Sequence, residues 1–164
     1  MGKLYQYTSE QYLPIHIKKA WQFFSLPANL SLITPPGLDF KIIGEVPDIE
    51  IYEGMIINYS LRPIFGFRFK WQTEILDISK PYHFTDRQLK GPYKIWEHTH
   101  RFIESENGVL IKDEVNYQLP LSIIGRVTHF LSVRNRIARI FEYRRKVLED
   151  IVTMGHKSFA NGIK

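Results

Sequence analysis

The sequence predicts one α+β domain in which an antiparallel sheet curls around a long C-terminal helix. Three observations favour this class. The chain has 164 residues, the size of one ordinary domain. Segments with alternating apolar and polar residues follow one another through its middle, separated by short turn signals. An apolar repeat with three- and four-residue steps occupies its C-terminal part, so that helices and strands are segregated along the chain.

The N-terminal part predicts a strand and then two short helices. Loose alternation of apolar residues favours a strand over residues 3–13. Residues 17–24 place their apolar side chains on one helical face, and Pro27 interrupts that helix. A second short helical turn is predicted over residues 29–33, before a Pro-Pro-Gly sequence that stops it.

The middle of the chain predicts one strand after another. Alternation is strictest over residues 67–75, where apolar or small side chains alternate with charged and amide side chains. An Asn-Gly pair at 107–108 is a strong signal for a tight turn between two strands. The predicted strands are residues 40–46, 55–61, 67–78, 82–89, 93–104 and 109–119. With the N-terminal strand, they predict a sheet of about seven strands joined by short turns.

The C-terminal part predicts the long helix and the end of the domain. Apolar residues recur at helical spacing over residues 126–154, and Gly155 is a natural stop. Residues 155–164 lack such a pattern and predict a loose tail. The domain is therefore expected to span residues 3–154. An antiparallel sheet that curls around one long helix leaves a cavity between the two.

Composition excludes several classes of site. The chain has no cysteine, which rules out disulfides, thiolate zinc sites, iron–sulfur clusters and cysteine nucleophiles. Aromatic residues make up 14% of the chain, more than a small core usually needs, which favours a lined cavity. The sequence has neither a membrane-spanning apolar run nor a secretory signal core, so a cytoplasmic protein is expected.

The net charge is +5, and basic residues are concentrated between residues 126 and 146. A solvated helix face is the plain interpretation of this concentration. The alternative is an anionic partner, namely a membrane surface that the protein contacts transiently. No specific binding of nucleic acid is expected, and the pattern leaves the oligomeric state open.

The segment around two histidines is the most informative for function. Trp96, His98, His100 and Phe102 share one face of a predicted strand, whereas the other face carries charged residues and is expected to be wet. On the neighbouring strands, Asp86 and Gln88 share a face with Phe84, and Asp113 shares one with Tyr117. If these faces also point inward, two carboxylates and two imidazoles meet in an aromatic cavity.

Three interpretations of this constellation remain open. The first is a buried network in which aspartates pair with histidines or arginines and satisfy one another. The second is a ligand site, in which a few fixed polar groups orient a molecule in an apolar pocket. The third is catalysis or a divalent metal, since imidazole titrates near neutral pH and His-x-His with a carboxylate is a ligand pattern. No third histidine has motif spacing, so we expect no metal and no other cofactor.

Three stretches of the sequence form a familiar combination. The first comprises Ala20-Trp21-Gln22-Phe23-Phe24, Asn29-Leu30 and Ile33-Thr34-Pro35. The second is Phe84-x-Asp86-Arg87-Gln88-x-x-Gly91-Pro92-Tyr93-x-x-Trp96-x-His98-x-His100-x-Phe102. The third comprises Asp113-x-Val115-x-Tyr117-x-x-Pro120, Val133-Arg134 and Phe141-x-x-Arg144. Together they resemble the START-like, polyketide cyclase/dehydrase (SRPBCC) superfamily, and the second resembles its subgroup often named cell-division inhibitor-like. The resemblance covers about residues 3–152 and implies a helix-grip fold with a pocket for hydrophobic ligands.

Taken together, these patterns predict noncatalytic binding of a small hydrophobic or aromatic molecule, lipid-like or polyketide-like. The expected cavity walls are Trp71, Trp96, Phe102 and Tyr117, and the expected polar contacts are His98, His100, Asp86, Gln88 and Asp113. One alternative is a cyclase or dehydratase that uses His98 or His100 as acid or base. The other is an interaction protein linked to cell division. An apolar hairpin tip at residues 63–67 is expected to cover the pocket mouth or, alternatively, to touch a membrane or partner.

Overall fold

The computed structural model describes residues 3–45, 49–64, 67–120 and 133–154. Its sheet has seven antiparallel strands in the order β1-β7-β6-β5-β4-β3-β2. The strands are β1 Leu4–Leu13, β2 Lys41–Ile42, β3 Ile56–Ile64, β4 Phe67–Ser79, β5 His83–Lys90, β6 Ile95–Ser105 and β7 Gly108–Gln118. The N-terminal strand therefore returns to pair with the last one, and β2 and β1 form the two edges.

The helices lie at the two ends of the chain. Helix α1 spans Ile17–Phe24 and is capped by His16, whose Nδ1 accepts a hydrogen bond from the Lys18 backbone N–H at 3.2 Å. Two short 3-10 helices follow, Pro27–Ser31 and Pro36–Leu38. Helix α2 spans Arg134–Met154. The seven strands, the short helical segments after β1 and the long final helix confirm the predicted helix-grip fold.

One predicted strand is much shorter in the structure, and some predicted segments lie outside the described residues. The strand expected over residues 40–46 is reduced to Lys41–Ile42. The positive φ angles of Asp39 (45°) and Gly44 (90°) turn the backbone away from extended geometry on either side of these two residues. The first part of the predicted C-terminal helix, residues 126–132, lies outside the described residues, as does the tail at 155–164. Positions 65 and 66 of the hairpin tip also lie outside them.

Burial follows the predicted alternation along β4. Trp71, Thr73 and Ile75 are buried at alternate positions. Phe67, at the start of the strand, is 69% exposed because the sheet extends past the core at this end. The inward face of the sheet thus contributes one continuous core, and each fully buried large apolar side chain stabilises the fold by about 1.5–3 kcal/mol.

Helix α2 packs one face on the sheet and exposes the other. Its buried residues recur at helical spacing and are Ile137, Phe141, Arg144 and Leu148. Hydrogen bonds tie it to β1: Gln11 Nε2 donates to the Arg145 carbonyl at 2.9 Å, and Arg145 Nη2 donates to the Glu10 carbonyl at 2.7 Å. Most of the basic residues of α2 are exposed or half-buried, as a solvated face requires, but Arg144 points inward. Within the described residues, no helix is long and apolar enough to cross a membrane.

Candidate functional site

A cavity lies between the inward face of the sheet and helix α2, closed on one side by α1 and the first 3-10 helix. The volume of this cavity that the centres of water-sized molecules can occupy is about 160 Å³. Since one water needs about 10–15 Å³ by this measure, the cavity has room for a molecule of on the order of ten non-hydrogen atoms. Its lining is mostly aromatic and aliphatic, with a small group of polar side chains on β5, β6 and α2.

An aromatic wall forms one side of the cavity. The ring centroids of Trp71 and Trp96 lie 5.4 Å apart with the planes at 88°, and Tyr93 packs 4.7 Å from Trp96. Tyr59 stacks on Trp71 at 5.9 Å, and its hydroxyl lies 2.9 Å from Thr73 Oγ1. Burial raises the pKa of both Tyr59 and Tyr93, so both phenols are neutral at physiological pH.

Strand register brings the polar groups together. His98 and His100 are successive inward residues of β6, and their ring centroids lie 3.8 Å apart. Asp86 of β5 is paired in register with His98, and Asp113 of β7 is paired with His100. The two aspartates thus flank the two histidines on a diagonal, and we call these four residues the His–Asp cluster.

Each imidazole of the His–Asp cluster lies between both carboxylates. His98 Nε2 is 2.9 Å from Asp113 Oδ1, and its Nδ1 is 3.4 Å from Asp86 Oδ2. His100 Nε2 is 3.3 Å from Asp86 Oδ2. His100 Nδ1 is 2.8 Å from Asp113 Oδ1, but it is poorly aligned and makes no hydrogen bond within the described structure. Phe84 stacks on the His100 ring at 4.4 Å and shields the cluster from one side.

The electrostatics of the cluster favour ionised aspartates. Burial opposes ionisation of Asp86 and Asp113, but the contacts with His100 and His98 outweigh it and hold the pKa of both carboxyls well below the usual range. Burial likewise disfavours a charged His98, but Asp113 and Asp86 outweigh it and raise the pKa of this imidazole. The cluster is therefore a set of mutually stabilised charges in a low-dielectric interior.

Arg144 of α2 completes the polar end of the cavity. Its Nη1 lies 3.9 Å from Asp113 Oδ1, and its guanidinium carbon lies 4.9 Å from the centre of the Phe141 ring. The residue is only 8% exposed. Charge patterning assigned Arg144 to the solvated face, and that was wrong for this residue. The apolar repeat of the same helix, in which Arg144 takes a place beside Phe141 and Leu148, is the signal that indicates its inward position.

The structure brings five of the nine predicted site residues to the cavity lining. These are Trp71, Asp86, Trp96, His98 and His100. The other four do not line it. Asp113 is buried behind the histidines, and Gln88 holds the β5–β6 turn by donating from Nε2 to the Tyr93 carbonyl at 2.7 Å.

Phe102 and Tyr117 belong to the packed core beside the cavity. Phe102 contacts Trp21 and Phe24 at centroid distances of 6.0 and 5.4 Å, where α1 covers the sheet. Tyr117 stacks on Tyr5 at 5.7 Å, and burial raises the pKa of its hydroxyl to about 12. A direct ligand contact by any of the nine residues stays a prediction.

One spacing within the cluster suits a metal ion. Asp86, His98 and His100 can each offer a ligand atom, and these atoms lie within 4.8 Å of one another. A metal would require both imidazoles to be neutral and would bring a second cation near the guanidinium of Arg144. The arrangement around Asp113 instead pairs the imidazoles with carboxylates, which favours the buried-network interpretation of the histidines.

The sequence matches no protein-family model and no curated protein. Solved structures with the same fold include a protein from Thermus thermophilus, at 18% identity and TM-score 0.64 over 91% of this chain and 97% of that one. They also include major latex-like protein 151 from Panax ginseng, at 12% identity and TM-score 0.66 over 92% and 99%. A Thalictrum flavum norcoclaurine synthase mutant, bound to a transition-state analogue, matches at 13% identity and TM-score 0.63 over 92% and 97%.

At these identities the likeness shows the fold alone. The solved structures agree with the resemblance at the level of the helix-grip fold.

Proposed function

We propose that this protein binds a small hydrophobic or aromatic molecule, lipid-like or polyketide-like, in the cavity between the sheet and α2, without catalysing its conversion. The observation that carries the proposal is the combination of an aromatic wall with one localised group of polar side chains. Small-molecule sites are typically built in this way, since apolar walls supply affinity and a few fixed polar groups supply orientation. In this proposal Trp71 and Trp96 contact the apolar body of the ligand.

The polar end of the cavity supplies orientation. Asp86, His98 and His100 line it. Their positions are held by contacts within the His–Asp cluster, so little ordering is required when a ligand binds. Asp113 acts on a ligand only through the histidines that it holds in place.

A cavity-filling pair of variants tests the proposal. Leu30 lines the cavity, whereas Leu32, two residues later, is 52% exposed and does not. With 2-naphthalenemethanol as a neutral probe and calorimetry as the readout, we expect Leu30→Trp to weaken binding at least ten-fold. Leu32→Trp should bind as the wild type does. Equal binding by both variants, or no binding by folded wild type, would overturn the proposal. Native mass spectrometry of freshly purified protein would identify a ligand that copurifies.

The second candidate is a cyclase or dehydratase that uses a cavity histidine as acid or base. The observation that favours it is that His98 and His100 both line the cavity, and one structural neighbour is a synthase. Against it, each ring nitrogen lies within 3.4 Å of a carboxylate, which competes with a substrate for the proton of the imidazole. Turnover of a polyketide-like substrate that is lost in both His98→Gln and His100→Gln would favour the enzyme.

The link to cell division rests on the sequence motif alone.

A further inference from the structure

The cavity lining carries more positive than negative groups. Among the described residues that line it, two arginines and two histidines stand against a single carboxylate. Those residues are Arg136, Arg144, His98, His100 and Asp86. Asp113, behind the lining, lies 3.9 Å from Arg144 Nη1 but also contacts both histidines, so Arg144 shares this carboxylate with two other basic groups. A buried guanidinium that shares its carboxylate in this way favours an anionic ligand.

Arg144 has unused hydrogen-bonding capacity. Its Nε and Nη1 atoms are buried, and neither has a hydrogen-bond partner within the described residues. The nearest carboxylate oxygen, Asp113 Oδ1, is 3.9 Å away, too far for a hydrogen bond, and already contacts both histidines. A buried guanidinium with unmade hydrogen bonds is costly, and such groups are normally satisfied by a protein group, water or a ligand.

The indole of Trp71 gives independent support for a ligand that accepts hydrogen bonds. Its indole N–H is also buried without a hydrogen-bond partner in the described part of the chain, and the residue lines the same cavity. Trp71 lies in the aromatic wall against Trp96, so the lining offers unpartnered buried donors on both β4 and α2. Both are donors that cannot accept a hydrogen bond. The ligand that suits this cavity therefore carries acceptors.

We infer that the ligand carries a carboxylate, which binds the guanidinium of Arg144 while its apolar or aromatic body lies against the Trp71 wall. This inference rests on the proposed function. A carboxylate suits the position because hydrogen bonds between a guanidinium N–H and a charged acceptor are stronger than those to a neutral one. A small aromatic acid or a medium-chain fatty acid matches the size of the cavity.

The test compares an acid with a neutral alcohol of the same shape. The probes are 2-naphthoic acid and 2-naphthalenemethanol, measured by calorimetry at neutral pH on wild type, Arg144→Met and Arg139→Met. Arg139 is an exposed arginine of the same helix and does not line the cavity, so it serves as the matched control. We expect wild type and Arg139→Met to prefer the acid. Arg144→Met should lose about ten- to a hundred-fold in affinity for the acid and keep its affinity for the alcohol.

The failures of the two proposals are distinguishable. If wild type binds acid and alcohol equally and Arg144→Met changes neither, the carboxylate inference is wrong while cavity binding stands. If the folded wild type binds neither probe, both are wrong. Should Arg144→Met fail to fold, the NMR signal of the Arg144 Nε–H in the wild type decides: it should shift with the acid and not with the alcohol. A shift of the same size with both probes, or with neither, overturns the inference.

Discussion

His98 Nε2 lies 2.9 Å from Asp113 Oδ1, although strand register pairs Asp113 with a different residue. The contact runs diagonally across the β6–β7 pair, over the distance that inward side chains two positions apart can span. The same carboxylate oxygen is therefore the common neighbour of both histidines and of Arg144. Loss of this one oxygen would leave three basic groups without their shared partner.

Asp113→Asn should destabilise the fold by about 3–5 kcal/mol, since it removes the negative partner from a buried charge cluster. The control is Glu114→Gln on the same strand, which faces away from the cluster and keeps the oxygen that accepts from Asn116. We expect it to change the free energy of unfolding by less than about 0.5 kcal/mol. Urea unfolding measures both, and equal losses would contradict a special role for Asp113.

Stability should fall as the pH rises above about 6.5, because His98 loses its proton there. Its pKa is raised in the folded protein, so the stabilisation by its imidazolium is complete below the unfolded value of 6.5 and is lost as the pH rises through the raised value. The lowered pKa values of Asp86 and Asp113 contribute stability above about pH 3.8, which is lost as the pH falls. The contribution of the cluster is thus greatest between about pH 4 and 6.5.

Urea unfolding from pH 4 to pH 9 would measure this profile. In His98→Gln the decline on the alkaline side should disappear, because the group that loses its proton is gone. His16→Gln is the control, since His16 is exposed at the start of α1. An unchanged alkaline decline in His98→Gln would assign the effect to another group.

Phe102→Ala should cost about 3–5 kcal/mol of stability, the usual range for a fully buried phenylalanine. Phe67→Ala is the matched control, because Phe67 is largely exposed, and we expect a change below about 0.5 kcal/mol. Any variant of Phe102 that folds should bind 2-naphthalenemethanol as the wild type does, since Phe102 lies outside the cavity lining. Weaker probe binding with an intact fold would place Phe102 in the site after all.

The protein should need no metal. Chelator-washed protein should contain less than stoichiometric zinc, iron or manganese by elemental mass spectrometry and should keep its melting temperature. The reason is that the ring nitrogens of His98 and His100 already face the carboxylates of Asp86 and Asp113. Stoichiometric metal in the wild type that is lost in a His98→Ala, His100→Ala double variant would contradict this.

Strand alternation, a local property, was enough to place His98 and His100 on one inward face. Alternation along β5 and β7 also grouped Asp86 and Asp113 with apolar neighbours, but it left open whether those faces point inward. The tight turn expected at 107–108 is present between β6 and β7. The fold and the candidate members of the His–Asp cluster could therefore be predicted from the sequence, whereas their meeting depended on the sheet.

The tertiary structure decided which of the inward residues line the cavity. Phe102 and Trp96 share one face of β6, but α1 covers the sheet over Phe102, whereas the cavity opens over Trp96. The inward position of the Arg144 side chain likewise depends on how α2 is rotated against the sheet, because this rotation sets the solvent exposure of each basic residue. Alternation and helical spacing specify the face of an element, but the empty volume between elements depends on how several of them pack together.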